Sequence, residues 1–196
     1  MNSAQSAQPV VSIRDLCKTF ELHHQGGARL PVLREVNFDV HAGECVALDG
    51  PSGLGKSTLL KCLFGNYLAS SGSIVYHAAH AKVDIVQATP REVLALRRHE
   101  IGYVSQFLRA IPRVPSIDIV AEPLLENSDH GPDAIASARR QAEALLLRLR
   151  IPVRLWGVAP ATFSGGEQQR INIARGLICP RRLLLLDAPT ASLDAD

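Results

Sequence analysis

Residues 50–57, Gly-Pro-Ser-Gly-Leu-Gly-Lys-Ser, decide the predicted fold of this chain. They match the pattern G-x-x-x-x-G-K-[ST], in which glycines let successive backbone N–H groups turn toward an anion. Lys56 can reach the β- and γ-phosphates of a nucleotide, and the Ser57 hydroxyl can bind Mg²⁺. A helix after the loop directs its positive N-terminal end at the same phosphates. The stretch therefore predicts a phosphate-binding loop.

The sequence around this loop supplies the strands and helix that such a loop needs. Glu44–Asp49 is a short apolar run, typical of a buried parallel strand, and a predicted helix runs from Ser57 to about Gly65. Leu183–Leu186 predicts a fully buried strand that ends at Asp187, whose carboxylate is suited to hold Mg²⁺ through water. Alternating strands and helices predict an α/β fold with a parallel-sheet core.

Two other regions have a different character. Near the N-terminus, Val10–Phe20 and Val32–Val40 are predicted strands, joined by a hairpin loop over His23–Pro31. Residues from about 107 to 162 contain several prolines and one amphipathic helix, predicted over Asp133–Arg150 with its apolar stripe facing a core. We interpret this second region as a small helical subdomain inserted into the α/β core.

The composition indicates a single globular domain. The chain has 196 residues, of which 46% are hydrophobic, and a net charge of +2 with scattered basic residues, so we expect no nucleic-acid partner. Residues 1–9 lack the features of a signal peptide and are predicted to be a flexible tail, which leaves residues 10–196 as the domain. No stretch approaches the roughly 18 apolar residues of a membrane span, and the four dispersed cysteines are typical of reduced thiols. We expect a cytoplasmic protein without direct membrane insertion.

A second candidate anion site lies at Ser164–Arg170, with the sequence SGGEQQR. A Ser-Gly-Gly turn opens a predicted helix over Gly166–Leu177, so its backbone N–H groups and the serine hydroxyl face outward. The alternative interpretation is an ordinary helix start, in which Ser164 is the N-cap and Glu167 completes a capping box. The stretch alone does not distinguish the two.

The order of these motifs resembles that of the ABC-type ATPases. The resemblance extends over residues 13–194 and rests on the phosphate loop followed by Gln106 after a strand, SGGEQQR at 164–170, LLLLD at 183–187 and Ser192-Leu193-Asp194. It implies a P-loop NTPase (RecA-like) parallel-sheet core with an N-terminal antiparallel β subdomain and an inserted helical subdomain. It also implies ATP and Mg²⁺ as cofactors.

The resemblance further implies that two subunits, identical or different, pack head to tail. Ser164, Gly165 and Gly166 of one subunit would then close on the γ-phosphate held by Lys56 of the other. The resemblance assigns nucleotide binding to Phe20, Gly50, Pro51, Ser52, Gly53, Gly55, Lys56, Ser57, Thr58, Ser164, Gly165, Gly166, Glu167 and Asp194. It assigns metal binding to Ser57, Gln106 and Asp187, and catalysis to Gln106 and Asp187.

Three of these residues have a specific implied role. Phe20 stands where the family stacks an aromatic ring on adenine, although a core phenylalanine at a strand end would look the same in the sequence. Gln106 senses the γ-phosphate and its metal and passes the signal to the helical subdomain. Asp194 lies at the dimer seam. Glu167 replaces a glutamine that is frequent in the family.

Two departures from the family pattern affect the chemistry. The family places a glutamate after the metal-binding aspartate, where it orients or activates water, and here that position is Ala188. General-base assistance contributes about 10²–10⁴-fold, so we expect hydrolysis to fall by that order while binding survives, unless Asp187 or Gln106 substitutes. No histidine follows His130, so the switch histidine of the family is missing, and we expect that the C-terminal part of the core is missing too.

A narrower resemblance points to the ATP-binding L component of the bacterial phosphonate carbon–phosphorus lyase system. It rests on KTFELHHQGGARLPVL (18–33), HAGECVALDGPSG (41–53), YVSQFLRAIPRV (103–114), RLW (154–156) and APATFSGGEQQRINIARG (159–176). It implies a partnership with the lyase core complex in phosphonate breakdown. The alternatives are a transporter ATPase of the lipoprotein-release or macrolide-export type, a non-hydrolysing ATP-gated clamp, and an inert fragment.

Overall fold

The computed structural model describes residues 8–22, 27–78, 81–108, 112–126 and 130–189. It divides into two compact units, Met1–Ile101 and Gly102–Asp196. Both units contain fully buried apolar side chains.

The first unit is built on an antiparallel sheet. Its strands are β1 (Val11–Leu22), β2 (Ala28–Val40), β3 (Ser71–His77) and β4 (Lys82–Asp84), in the order β2-β1-β3-β4. This confirms the predicted N-terminal antiparallel subdomain.

The prediction of a hairpin loop over His23–Pro31 is wrong for residues 28–31, which belong to β2. Pairing continues to Ala28, which lies opposite Leu22, and the guanidinium of Arg29 lies 3.1 Å from the carboxylate of Glu21. Cross-strand hydrogen bonds and charge pairing extend the ladder into residues that the sequence pattern assigned to the loop. Residues 23–26 lie outside the described part of the chain.

The buried face of this sheet packs beside helix α1 (Lys56–Leu63). Ile13 and its ladder partner Ile74 are almost completely buried. Leu16 is buried as well, and the register shift between Ile13 and Leu16 interrupts the strict alternation of the strand. Tyr76 is also buried, and its hydroxyl donates a hydrogen bond of 2.7 Å to the carbonyl of Leu63 at the end of α1. Burial raises the pKa of the Tyr76 phenol, so the group remains a proton donor at neutral pH. This bond joins the end of α1 to the sheet.

The strand predicted over Glu44–Asp49 is absent from the structure. The segment has no ladder partner among the described strands, and Val46 is 41% exposed. An apolar run becomes a strand only when a neighbouring strand satisfies its N–H and C=O groups. The segment therefore runs as an irregular approach to the phosphate loop.

Helix α2 (Pro90–His99) completes the first unit. Thr89 is its N-cap and forms a capping box with Glu92. At the other end, Arg97 donates hydrogen bonds of 2.9 Å to the carbonyl of Phe64 and to the Oδ1 atom of Asn66. These contacts fix α2 against the turn that follows α1.

The second unit contains a pair of strands, β5 (Ile101–Val104) and β6 (Leu183–Leu186). Ile101, the first residue of β5, is the last residue of the first unit. Only Leu185 of β6 is buried, and Leu186 is 44% exposed, so the prediction of a fully buried strand is wrong. Among the described strands, β6 pairs with β5 alone, which leaves part of its surface uncovered.

The rest of the second unit is helical, with α3 (Ser116–Leu125), α4 (Pro132–Arg148), α5 (Gly165–Leu177) and two short 3₁₀ turns, Val153–Leu155 and Pro160–Thr162. The three helices share one apolar core formed by Ile119, Val120, Ala121, Ala138, Ala142, Leu146, Ile151, Phe163, Ile171 and Ala174. Two ion pairs brace it, Arg139 to Asp118 at 2.7 Å and Arg175 to Glu122 at 2.8 Å. Ile135, predicted on the buried stripe of α4, is 36% exposed because it lies in the first turn, before the helix reaches the core. No helix in the described ranges is long and apolar enough to cross a membrane.

Candidate functional site

Glycines shape the phosphate loop at the start of α1. Gly55 is the N-cap of the helix with φ 87° and ψ 10°, a left-handed conformation that favours glycine. A Cβ atom at Gly55 would also lie 2.7 Å from Cγ1 of Val32, so both the backbone and the available space require glycine there. At Gly53 only the backbone conformation requires glycine, because its φ is 88° while a Cβ atom added there would have no neighbouring atom within 4 Å.

The side chain of Lys56 lies within the loop that precedes it. Its ammonium group donates a short hydrogen bond to the carbonyl of Gly50 and one of 2.9 Å to the carbonyl of Pro51. The first turn of α1, which includes Ser57 and Thr58, contains no acidic side chain. The positive end of the helix dipole is therefore not neutralised from within the helix, which suits the binding of an anion.

Phe20 lies near the end of β1 and is half-buried, so it does not belong to the buried core. Its ring meets that of Tyr67 edge to face, with 5.3 Å between the centroids and 83° between the planes. The ammonium of Lys18 lies 4.8 Å from the Phe20 centroid, a favourable cation–π distance. Stacking of adenine on Phe20 stays a prediction.

The second group of predicted residues lies at the carboxyl ends of β5 and β6. The backbone N–H of Asp187 donates a hydrogen bond of 2.9 Å to the carbonyl of Val104, which brings the two strand ends side by side. Asp187 is only 5% exposed, and its Oδ2 atom accepts a hydrogen bond of 2.9 Å from the Tyr103 hydroxyl. Gln106 is exposed in the bend after β5. Ala188 is exposed, with a left-handed φ of 47°.

A side chain of α5 contacts the segment that contains Gln106. The amide of Asn172 donates a hydrogen bond of 2.6 Å to the carbonyl of Ser105, and the Ser105 hydroxyl donates one of 2.6 Å to the carbonyl of Phe107. Neither Asn172 nor Tyr103 was among the site residues predicted from the sequence. Tyr103 carried a signal, a polar group in the otherwise apolar strand IGYV, whereas the neighbours of Asn172 one turn away on α5 are not apolar and gave no such signal.

The start of α5 forms the capping box proposed as the alternative interpretation. The Ser164 N–H donates to the Glu167 carboxylate at 2.9 Å, and the Glu167 N–H donates to the Ser164 hydroxyl at 3.3 Å. The backbone hydrogen bond from Ser164, followed by that from its hydroxyl, lowers the pKa of Glu167. The box involves neither the N–H of Gly165 nor that of Gly166, so capping and anion binding can coexist on one helix.

The predicted site residues thus form two groups, the loop and Phe20 in the first unit, and Gln106, residues 164–167 and Asp187 in the second. Asp194, predicted at the dimer seam, lies outside the described residues. Within the described ranges, no three His, Cys, Asp or Glu side chains cluster as a metal site.

Comparisons with known proteins agree on one family. The family described as ABC transporter matches residues 33–191. The lipoprotein-releasing system ATP-binding protein LolD of Novosphingobium aromaticivorans is 39% identical over 189 residues, which cover 96% of this chain and 79% of that protein. The macrolide export ATP-binding/permease protein MacB of Brucella abortus is 35% identical over 187 residues, which cover 95% of this chain and 27% of that protein.

An uncharacterized ABC transporter ATP-binding protein of Mycobacterium tuberculosis, Rv0073, is 38% identical over 172 residues, which cover 88% of this chain. The aligned chain spans about half of that relative, 49% of its length.

Solved structures show the same fold. The dimeric structure of a post-hydrolysis state of the ATP-binding cassette MJ0796, bound to ADP and Pi, superposes with a TM-score of 0.83 at 28% identity, over 94% of this chain and 76% of that one. This confirms the predicted α/β P-loop NTPase fold with its antiparallel β subdomain and helical subdomain. With the family match spanning most of the sequence, the chain belongs to the ABC transporter family of ATP-binding proteins.

Proposed function

We propose that this chain is the ATP-binding subunit of an ABC transporter of the lipoprotein-release or macrolide-export type, that it works in the cytoplasm, and that it closes on Mg·ATP as a dimer and hydrolyses it slowly. The phosphate loop carries the nucleotide part of the proposal, because left-handed glycines, a helix N-terminus without acidic side chains and the Lys56 ammonium occur together in one short segment. The names of LolD and MacB support the transporter class.

In this proposal, phosphate binding is an exchange of partners. Lys56 gives up the carbonyls of Gly50 and Pro51 and pairs with the β- and γ-phosphates, which are stronger, charged acceptors. The first N–H groups of α1 donate to the same phosphates. Phe20 offers a half-buried ring face for adenine.

The oxygen donors of the chain fit a magnesium ion. Mg²⁺ prefers one or two carboxylates together with substrate phosphates over a cage made by protein alone, so the lack of a larger acidic cluster in the described residues is compatible with it. The family resemblance assigns Ser57, Gln106 and Asp187 as the residues that would hold it. When bound, the ion neutralises charge on the β- and γ-phosphates.

Slow hydrolysis follows from the residue after Asp187. Ala188 has no group that can accept a proton or orient water, and a general base is worth about 10²–10⁴-fold. Gln106, exposed in the bend after β5, can orient a water molecule but is a poor base. We therefore propose strong binding with weak turnover.

The comparisons do not support the carbon–phosphorus lyase interpretation, and they favour the transporter alternative. Two of the relatives compared above, LolD and MacB, are named for lipoprotein release and macrolide export, and their similarity extends over at least 95% of this chain. The stretches that suggested a phosphonate role are therefore compatible with general family resemblance.

One experiment tests binding, closure and turnover on the same sample. Binding of a fluorescent ATP analogue, sedimentation with Mg·ATP and phosphate release are measured for the wild type, Lys56→Ala and Ala188→Glu. Lys56→Ala should lose about 100-fold in affinity, since it removes charge-assisted hydrogen bonds. Lys82→Ala, on β4, is the matched control for loss of one positive charge and should bind as the wild type does.

Ala188→Glu should raise phosphate release by about 10²–10⁴-fold without altering binding. Residue 188 is exposed, so a longer side chain has room there. Closure with no release in either protein would favour the ATP-gated clamp, and no nucleotide binding would favour the inert fragment and refute the proposal. Co-purification with a membrane protein supports the transporter, whereas a soluble complex without one supports the lyase alternative.

A further inference from the structure

We propose that Tyr103 is a positioning residue that sets the orientation of the Asp187 carboxylate for magnesium binding, an inference that rests on the proposed function. Nothing in the loop–helix pattern identifies Tyr103. The inference comes from the contacts between β5 and the residue that follows β6.

Two consecutive residues of β5 hold Asp187 by two different groups. The carbonyl of Val104 accepts a hydrogen bond of 2.9 Å from the backbone N–H of Asp187. The hydroxyl of Tyr103 donates one of 2.9 Å to its side-chain Oδ2 atom. Because backbone and carboxylate are both attached to one strand, rotation about the side-chain bonds of Asp187 is restricted. The strand thus determines where the carboxylate points.

The kind of donor matters as much as its position. Asp187 is only 5% exposed, and a buried carboxylate is costly unless it accepts hydrogen bonds. A phenol is uncharged, so it supplies such a bond and leaves the negative charge of the carboxylate in place, whereas an arginine or lysine would neutralise that charge. Tyr103 therefore stabilises Asp187 in a form that still attracts a cation.

Groups that hydrogen-bond to metal ligands typically contribute 10–100-fold to metal affinity. Tyr103→Phe removes only the hydroxyl and keeps the ring. We expect the Mg²⁺ concentration that half-saturates binding of a fluorescent ATP analogue to rise by about 10-fold or more. Binding of the analogue with Mg²⁺ removed by EDTA should not change, since the phosphate loop is untouched.

Tyr76→Phe is the matched control. It also deletes a phenol hydroxyl with a short hydrogen bond, that of 2.7 Å to the carbonyl of Leu63. It should lower the thermal midpoint and leave the Mg²⁺ midpoint unchanged. Titrations are made at a temperature at which circular dichroism shows every variant to be folded.

A double-mutant cycle with Asp187→Asn separates positioning from a general loss of structure. If Tyr103 acts through the carboxylate, Tyr103→Phe shifts the Mg²⁺ midpoint in the wild type but not in the Asp187→Asn background. Equal shifts in both backgrounds, or no shift in the wild type, would overturn the inference while leaving the proposed function intact. A wild type that binds no nucleotide at all would overturn both.

Discussion

Helices α2 and α5 begin in nearly the same way and differ in one turn. Thr89 and Ser164, their N-caps, have φ and ψ of −65° and 155°, and of −60° and 156°. Each N-cap N–H donates to the carboxylate of the glutamate three residues later, at 2.8 Å in α2 and 2.9 Å in α5. The capping boxes are therefore equivalent.

The difference lies in the two residues inside each box. Helix α2 continues with Pro90 and Arg91, which both carry side chains, and proline has no backbone N–H to donate. Helix α5 continues with Gly165 and Gly166, which keep both N–H groups and carry no side chains. Capping alone thus explains the serine and the glutamate of SGGEQQR but not its glycines. The glycines are the part of the motif that points to an anion.

Exchanging the first helical residue should have the largest effect. Gly165→Pro gives α5 the first residue of α2, and the extended N-cap backbone accepts a following proline. Since one N–H donor to a charged acceptor is lost, dimerisation driven by Mg·ATP should weaken by roughly 10–100-fold in sedimentation experiments.

The same change should not unfold the protein, because proline at this position reduces the freedom of the unfolded chain and stabilises by about 0.4–1 kcal/mol. The converse substitution, Pro90→Gly, should cost a similar amount in urea denaturation and leave dimerisation unchanged. If Gly165→Pro left dimerisation intact, the glycines would have no role beyond starting the helix.

Removing the caps should have a smaller and shared effect. Ser164→Ala and Thr89→Ala should each lower the free energy of unfolding by about 1 kcal/mol, because each removes the hydroxyl that accepts from the glutamate N–H and donates to its carboxylate. Urea denaturation measures this loss. Only Ser164→Ala should also weaken nucleotide-driven dimerisation, and an equal effect of both changes on dimerisation would contradict the distinction between the helices.

The smallest expected effect is on how the free energy of unfolding depends on pH in acid. Hydrogen bonds from the N-cap residues lower the pKa values of Glu92 and Glu167 from 4.5 in the folded state. A lowered folded pKa stabilises above the unfolded value, and this stabilisation is lost as the pH falls from about 4.5 through the folded pKa. Glu92→Gln and Glu167→Gln should each flatten the stability profile in that range.

Salt should distinguish the two glutamates in the same profiles. Arg170 and Arg154 also lower the pKa of Glu167, whereas that of Glu92 is lowered by hydrogen bonds from Thr89 alone. Added salt screens charge–charge interactions, so it should reduce the acid dependence associated with Glu167 more than that of Glu92.

Local sequence patterns predicted the parts of the fold that local chemistry determines. The phosphate loop needs glycines at left-handed positions, and the amphipathic pattern of α4 follows the 3.6-residue period, so both were recognisable. The start of α5 was ambiguous because a capping box and an anion site use the same residues. The structure shows that the box is formed and that it leaves the glycines out.

Features that depend on distant partners could not be predicted. Glu44–Asp49 has the composition of a strand, but ladder partners and not composition make a strand. The contact between Tyr103 and Asp187 joins residues 84 positions apart, and no spacing rule connects them. The left-handed backbone of Ala188 also gives no signal in the sequence, since alanine has no preference for it.

The left-handed backbone at Ala188 affects how readily mutation could restore an acidic residue at this position during evolution. Any alanine codon is one base substitution away from a codon for aspartate or glutamate. Residue 188 is exposed, and its left-handed conformation is one that aspartate tolerates better than most residues. An acidic side chain is therefore one mutational step away, and the fold places no barrier in front of it. A library of random variants at codon 188, selected for phosphate release, should return acidic residues first.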